Sequence, residues 1–340
     1  MKDSNPKKIL ITGVAGFIGS HFLEHILVNT DWDVVGIASW THKGVPERIT
    51  ESTHYQRHKH RVEIITHDLV APFPVQTIKK MGKIDYIANF AAESHVERSI
   101  IDPVPFVKNN VAVALTMLEL ARELKPESFI QISTDEVYGP ANTGEHPEWD
   151  TQLPSNPYSA SKSAQEAIAI SYWRTYGVPV VITNTMNNFA ETQDGEKFIP
   201  MVIKRIISGE TVPVHGTEGH VGSRFYLHAR NHADAVLFIL RNLPPASYRE
   251  DGAQKPDRYN IVGDKEINNL EMAQLIAKLL GKELKFEYVD FHKTRPGHDR
   301  RYGLDGSKLR NLGWNPPVDF EASMRRYVEW TLRDENKHWL

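Results

Sequence analysis

The sequence predicts an α/β protein, a doubly wound parallel sheet joined to a smaller, mixed α/β substrate-binding lobe. Three observations predict it. Short apolar runs of strand length alternate with apolar-periodic helical stretches through the first half of the chain, as expected for a parallel sheet covered on both faces. A glycine-rich turn, Gly13-Val-Ala-Gly16-Phe-Ile-Gly19, joins the first such strand to the first helix. A further apolar run ending at Ile132 delivers Ser133, Thr134, Asp135 and Glu136 to the carboxyl edge of the sheet, where open α/β sheets place their ligands. Residues 1–184 are assigned to the first lobe. Residues 185–340 are assigned mainly to the second, with some chain crossing back.

Composition narrows the function classes. The 340 residues are enough for a large core, and a net charge of −3 with interspersed signs offers no footprint for nucleic acid or an anionic membrane. There is no cysteine, hence no disulfide or thiol nucleophile. The start, Met1 to Lys8, is polar, and no apolar run is read as long enough to span a bilayer. The expectation is a cytosolic protein whose partners are small molecules.

The first strand is Lys8-Ile-Leu-Ile-Thr12 and the first helix runs to about Val28. Between them, Gly13 permits a tight turn, Gly16 lets backbone approach a pyrophosphate, and Gly19 lets helix and strand pack closely, the arrangement of a dinucleotide loop. The second strand, Asp33 to Ala38, ends where an acid normally binds the adenosine ribose. Ala38 stands there, followed by Ser39, Thr41, His42 and Lys43, so NAD and NADP both remain open. His54, His58 and His60 lack carboxylate or cysteine partners at ligand spacing and read as surface residues, and no metal site is expected. The third strand, Val62 to Thr66, places Asp68 where it would accept from the adenine amino group. The fourth, Ile84 to Ala92, leads into polar residues around Ser94. The helix from about Val104 to Leu124 is apolar on more than one face, as is the stretch after Tyr158, which suggests a helix-bundle homodimer; burial within the lobe is the alternative.

Tyr158 and Lys162 are spaced i, i+4 and leave a helix on one face. A cation about 4 Å from the phenol would favour the phenolate by roughly 4 kcal/mol, or about three pK units, making Tyr158 a base near neutrality. Asp135 and Glu136 repel one another in a dry cleft, so one is expected to keep its proton while the other acts as base. One acid and one base suit an elimination. Taken singly, Ser133, Thr134 or Asp135 would serve as a helix cap, and Tyr158 with Lys162 as an ordinary helix-surface pair.

These motifs, with Ala91-Ala-Glu-Ser-His-Val-Glu-Arg-Ser99 and Arg295-Pro-Gly-His-Asp-Arg-Arg-Tyr302, resemble the extended short-chain dehydrogenase/reductase family and, within it, the dTDP-glucose 4,6-dehydratases. The resemblance implies a Rossmann-like first lobe binding NAD through Gly13, Gly16, Phe17, Ile18, Gly19, Ser39, Thr41, Asp68, Leu69, Ala91, Tyr158 and Lys162. It implies that Tyr158 takes the C4 hydroxyl proton of a nucleotide-hexose, with Thr134 bonded to the C4 oxygen and Lys162 in support. Glu136 then removes the C5 proton while Asp135 protonates the departing C6 hydroxyl, giving a 4-keto-6-deoxy sugar.

For the second lobe, the resemblance implies substrate contacts at Ser94, Glu136, Asn188 and Lys197, and a phosphate clamp at Arg224, whose planar guanidinium offers paired donors. Arg295, His298 and Asn260 join this set. His215 falls where the family usually has an aromatic platform for the base, Gly219 to Ser223 include a small insertion, Phe225 replaces an acid, and Phe189-Ala-Glu191 replaces Tyr-Gly-Pro. The nucleotide is therefore left open between dTDP, UDP and others. The alternatives are an epimerase or decarboxylase of the same architecture, or a non-catalytic dinucleotide-sensing module.

Overall fold

A computed structural model describes residues 6–41, 43–290 and 299–340. The expectations for His42, Arg295 and His298 fall outside these described residues. The centre is a parallel sheet of seven strands in the order β12-β6-β5-β4-β1-β2-β3. Its members are β1 (Lys8–Thr12), β2 (Asp33–Ala38), β3 (Val62–Thr66), β4 (Tyr86–Asn89), β5 (Ser128–Thr134), β6 (Val180–Thr185) and β12 (Asp257–Ile261). Alternation along the strands fills both faces. Ile9 and Ile11 face a layer containing Phe22 and Val236, while Leu10, Ile87 and Phe129 face Met117, Leu118 and Trp173. Each such fully buried aliphatic side chain contributes about 1.5–3 kcal/mol by leaving water.

β1 pairs with β2 on one side and β4 on the other, with Leu10 opposite Val35 and Ile87. The helix after β1 (Phe17–Asn29) packs on the face carrying Phe22, and the helix Pro103–Leu124 on the face carrying Met117. Strand order therefore reverses at β1, and the crevice opens there, at the carboxyl ends.

Three details differ from the sequence reading. The fourth strand stops at Asn89 instead of Ala92, because residues beyond it bend over the glycine turn, where the Ala91 backbone passes close to Gly13. A seventh strand, β12, is supplied by the later half of the chain and pairs in parallel with β6. Finally, Pro103–Leu124 is, among the described residues, one helix long and apolar enough to cross a membrane by length and composition, contrary to the reading that no such run exists. Its apolar residues reflect packing: Val113, Met117, Leu118 and Ala121 are buried against the sheet and the helix Pro157–Tyr176.

Between β6 and β12 the chain makes β7 (Asn188–Phe189), β8 (Val212–Thr217), β9 (His220–Val221), β10 (Ser223–Phe225) and β11 (Leu227–His228); β13 (Glu266–Asn268) and β14 (Phe286–Val289) follow. With the helices Phe198–Ser208, Asn269–Leu280 and Phe320–Thr331 they enclose a second core around Phe189, Val202, Met272 and Tyr327. The segment Gly219 to Ser223 forms part of a hairpin, β9 pairing antiparallel with β8.

Candidate active site

The glycine turn has the backbone its residues permit. Gly13 sits at φ +63°, and a Cβ on Gly19 would lie 2.2 Å from the Gly13 carbonyl oxygen, so any larger residue there would force helix and turn apart. Gly16 caps the helix Phe17–Asn29, whose first N–H groups point into the crevice, a ready anion site.

A cavity of about 570 Å³ runs along the carboxyl edge of the sheet. At one end it is lined by Gly13, Gly16, Phe17, Ile18, Gly19, Ser39, Thr41, Asp68, Leu69 and Ala91; at the other by Ser94, Thr134, Asp135, Glu136, Tyr158, Lys162, Asn188 and Lys197. The hydroxyls of Ser39 and Thr41 are 2.9 Å apart, and Asp68 accepts from the Val70 N–H, which fixes its carboxylate at the strand end.

Local structure aims the reactive groups. After β5 the chain turns through a short 3-10 helix, Asp135–Tyr138, and the Thr134 hydroxyl both accepts from the Glu136 N–H and donates to Asp135 Oδ1 at 2.8 Å. The helix Pro157–Tyr176 begins with a reciprocal capping box between Asn156 and Ser159, which sets Tyr158 in its first turn. The same Asn156 donates through Nδ2 to Glu136 Oε2 at 3.2 Å. One cap thus orients phenol and carboxylate together.

Desolvation raises Asp135 to about 6 and Glu136 to about 7, with the Asp135 charge adding to the rise at Glu136. Both carboxyls are raised, and Glu136 more than Asp135, the reverse of the order expected from Asp135 as acid and Glu136 as base. Both are raised above their ordinary values, so the stability they contribute is full below about pH 4 and is lost as pH rises through 6 to 7. At 1.36 kcal/mol per pK unit, ionising this coupled pair costs roughly 3 kcal/mol or more at pH 8. Asp135→Asn and Glu136→Gln are therefore expected to melt about 3 °C or more above the parent at pH 8 and level with it at pH 4, read by calorimetry. Variants that melt lower than the parent at both pH values would contradict this.

The expected phenolate is not found. Lys162 donates to the Ile132 carbonyl at 2.7 Å and to Gln165 Oε1 at 2.6 Å, so its ammonium is committed away from the phenol. Desolvation and the Glu136 and Asp135 carboxyls push Tyr158 well above its ordinary value, opposed by its hydrogen bond with Thr134. Lys162 itself is lowered to about 8 by burial. The i, i+4 spacing put both groups on one face, but it carried no information about the acceptors that capture the lysine.

With glycine cradle, carboxyl pair, tyrosine and lysine in one cavity, comparison with known proteins gives a consistent result. Residues 10–327 match the family described as GDP-mannose 4,6 dehydratase.

The chain belongs to this family.

Among curated relatives it is 36% identical to the low-salt glycan biosynthesis protein Agl12 of Haloferax volcanii, over 96% of this chain and 99% of that one. It is 34% identical to dTDP-glucose 4,6-dehydratase 1 of Escherichia coli K12, over 98% and 94% of the two chains. Among solved structures it superposes on the dTDP-glucose 4,6-dehydratase of Bacillus anthracis in complex with NAD, with a TM-score of 0.82 and 30% identity over 98% of each chain. The resemblance to extended short-chain dehydrogenases holds over the whole length.

Within this GDP-mannose 4,6 dehydratase family member, three residues of the substrate set do not line the cavity. Asn260 is fully buried on β12 and donates through Nδ2 to the carbonyls of His146 and Asp305, each at 3.0 Å, which ties the strand end to two loops. Arg224 on β10 donates to the carbonyls of Ser223, Asp299 and Arg300 and stacks its guanidinium 4.6 Å from the centre of the Tyr302 ring. It is still close enough to lower the affinity of Asp135 and Glu136 for protons. His215 lies on β8 opposite Val289 of β14.

The cavity also contains groups that the sequence reading passed over. Glu196 bonds Lys43 Nζ at 2.7 Å and lies 3.3 Å from His95 Nε2 and 3.6 Å from Arg98 Nη2; Asp194 meets Lys43 and Arg48 at 3.2 Å each. They join three segments far apart in the chain, a pairing that sequence spacing does not show. Among the described residues no cluster of three or more His, Asp or Glu has the form of a metal site.

Proposed function

We propose that this protein is an NAD-dependent nucleotide-sugar 4,6-dehydratase, a lyase converting dTDP-glucose or a close analogue such as UDP-glucose to the 4-keto-6-deoxy sugar nucleotide. The observation that carries the reading is the meeting of Asp135, Glu136, Thr134 and Tyr158 in the same cavity as the glycine cradle. An epimerase has no use for the acid of that pair.

The cradle fits a dinucleotide: its glycines leave room where side chains would block the crevice, and the helix N-terminus at Phe17 and Ile18 suits a pyrophosphate. Lys43, in the loop after Ala38, is engaged by Asp194 and Glu196, so a 2′-phosphate there would meet carboxylates; this supports NAD over NADP. A nicotinamide held there would supply reversible hydride transfer between C4 and C6 of the hexose.

The chain's own groups do the proton work. Thr134 Oγ1 and the Tyr158 hydroxyl lie together to bind the C4 oxygen; Tyr158 receives the C4 hydroxyl proton as a phenolate, a form that the positive charge of an oxidised nicotinamide bound beside it would favour against the burial that raises it. Glu136, held by Asn156, takes the proton from C5 and returns it there once hydride has reached C6. Asp135, which burial raises to about 6, is the acid of the reading and donates to the C6 hydroxyl, which leaves as water. Ser94, Asn188 and Lys197 line the same cavity and suit the sugar and its diphosphate. A homodimer in the cytosol completes the reading. It is supported by the helices Pro103–Leu124 and Pro157–Tyr176, which pack together and leave Val104, Leu115 and Tyr176 exposed.

Incubation with dTDP-, UDP-, GDP- and CDP-hexoses, followed by alkali, tests the function: a 4-keto-6-deoxy product develops a near-ultraviolet absorbance with the true substrate. Mass spectrometry of cofactor released by denaturing the protein is expected to find NAD. No absorbance with any sugar nucleotide defeats the dehydratase reading, and NADP as the main species defeats the cofactor assignment.

A further inference from the structure

A continuous chain of buried polar side chains crosses the sheet beneath the cavity. The Ala91 N–H donates to Thr12 Oγ1 at 3.0 Å, Thr12 Oγ1 donates to Asn89 Oδ1 at 2.7 Å, and Asn89 Nδ2 donates to Gln131 Oε1 at 3.0 Å. Gln131 Nε2 donates to Gln165 Oε1 at 3.2 Å, where the chain meets the Lys162 ammonium at 2.6 Å; Gln165 Nε2 then donates to the Asn110 carbonyl at 2.7 Å. Thr12, Asn89, Gln131 and Gln165 are each no more than 1% exposed.

The direction of this chain is forced. An ammonium only donates, so Gln165 must present its oxygen to Lys162 and its amide nitrogen to Asn110. Gln131 must then turn its nitrogen to Gln165 and its oxygen to Asn89, and so on to Thr12 in the strand that carries the glycine turn. Reversing any one amide would oppose two donors or two acceptors among fully buried groups.

We propose that Gln165 is the positioning residue for Lys162, and that the amide chain from Thr12 locks it in the orientation that holds the lysine in the cofactor cleft. The inference rests on the dehydratase reading for its effect on turnover, but not for its effect on the lysine. Among the described residues the charged group that acts on the ammonium is Glu166, on its own helix; Tyr158, Asp135 and Glu136 line the same cavity. The Glu166 carboxylate is taken up by Arg258 at 2.6 Å and Asn184 at 2.8 Å, and the helix Pro103–Leu124 presents the neutral Asn110. Gln165 is thus the side-chain oxygen bonded to Lys162, together with the Ile132 carbonyl.

The test compares Gln165→Met, which removes the acceptor at similar volume, with Gln165→Glu, which replaces it by a charge. Acetylation of Lys162 by acetic anhydride, followed across pH by peptide mass spectrometry, reports its titration without any substrate. The midpoint is expected to fall in Gln165→Met and to rise by about one unit in Gln165→Glu, since an adjacent carboxylate favours the ammonium. Turnover should fall at least about tenfold in Gln165→Met, with KM for the sugar nucleotide little changed. If either variant fails to fold, Gln131→Met, which frees Gln165 to rotate, is expected to lower the midpoint by a smaller amount. Midpoints that stay put, or move the same way in Gln165→Met and Gln165→Glu, overturn the proposal. A parent inert towards every sugar nucleotide would instead defeat the dehydratase reading and leave the labelling result intact.

Discussion

Asp135→Asn is expected to lower formation of the 4-keto-6-deoxy product by about 10²- to 10⁴-fold, the usual contribution of a positioned general acid, while oxidation at C4 survives in part. The amide fills the same space and still accepts from Thr134, whose hydroxyl lies 2.8 Å from Asp135 Oδ1. It has no proton to give to a leaving hydroxyl. Tyr158 and Glu136 remain, so a single-turnover experiment should show reduced-nicotinamide absorbance accumulating without the alkali-labile product. Product formation within threefold of the parent would place the acid elsewhere. The contrast with Tyr158→Phe is informative, since that variant is expected to lose both steps. Asp135→Asn is also the substitution expected to stabilise the protein at pH 8, so its activity loss should come with a higher melting temperature, separating chemistry from misfolding.

The second large effect is structural. Arg258→Ala is expected to destabilise the protein by about 3–5 kcal/mol in urea unfolding, because it leaves the fully buried Glu166 carboxylate without its cation. Arg258 bonds Glu166 at 2.6 Å and the Tyr138 hydroxyl at 3.0 Å, and its guanidinium lies 4.2 Å from the centre of the Trp149 ring. The double variant Arg258→Met with Glu166→Leu removes both charges and should recover more than half of the loss. A single-variant loss under 1 kcal/mol would mean that water reaches the pair.

Much of the sheet was legible because its signals are local. The short apolar runs of β1, β2, β3 and β5 lie within single windows of sequence, and Gly13 to Gly19 announce a turn whose crowding only glycine tolerates. The lining of the cavity by the cofactor set from Gly13 to Ala91 follows from where parallel strands end. What was not legible depends on partners distant in sequence. Lys162 was read with Tyr158, four residues away, but its acceptors include the Ile132 carbonyl, thirty positions upstream. Asn260 was read as a substrate contact, yet it is buried on β12 with its amide committed to two carbonyls, and Asp257 to Ile261 carries no glycine or helix signal to mark it as part of the main sheet. The Glu196 cluster escaped for the same reason, its cations coming from positions 43, 95 and 98.

The place of β12 has a consequence for how such a protein is divided and diversified. Its ladder partner β6 ends at Thr185, and β12 begins at Asp257, so the intervening chain is an excursion between two neighbours in one hydrogen-bond ladder. A fragment cut after Thr185 would expose the raw edge of β6, which invites association with other chains. The intervening segment can vary in length and chemistry while both of its ends stay pinned, so new ligand preferences can be grafted there without rebuilding the sheet beneath.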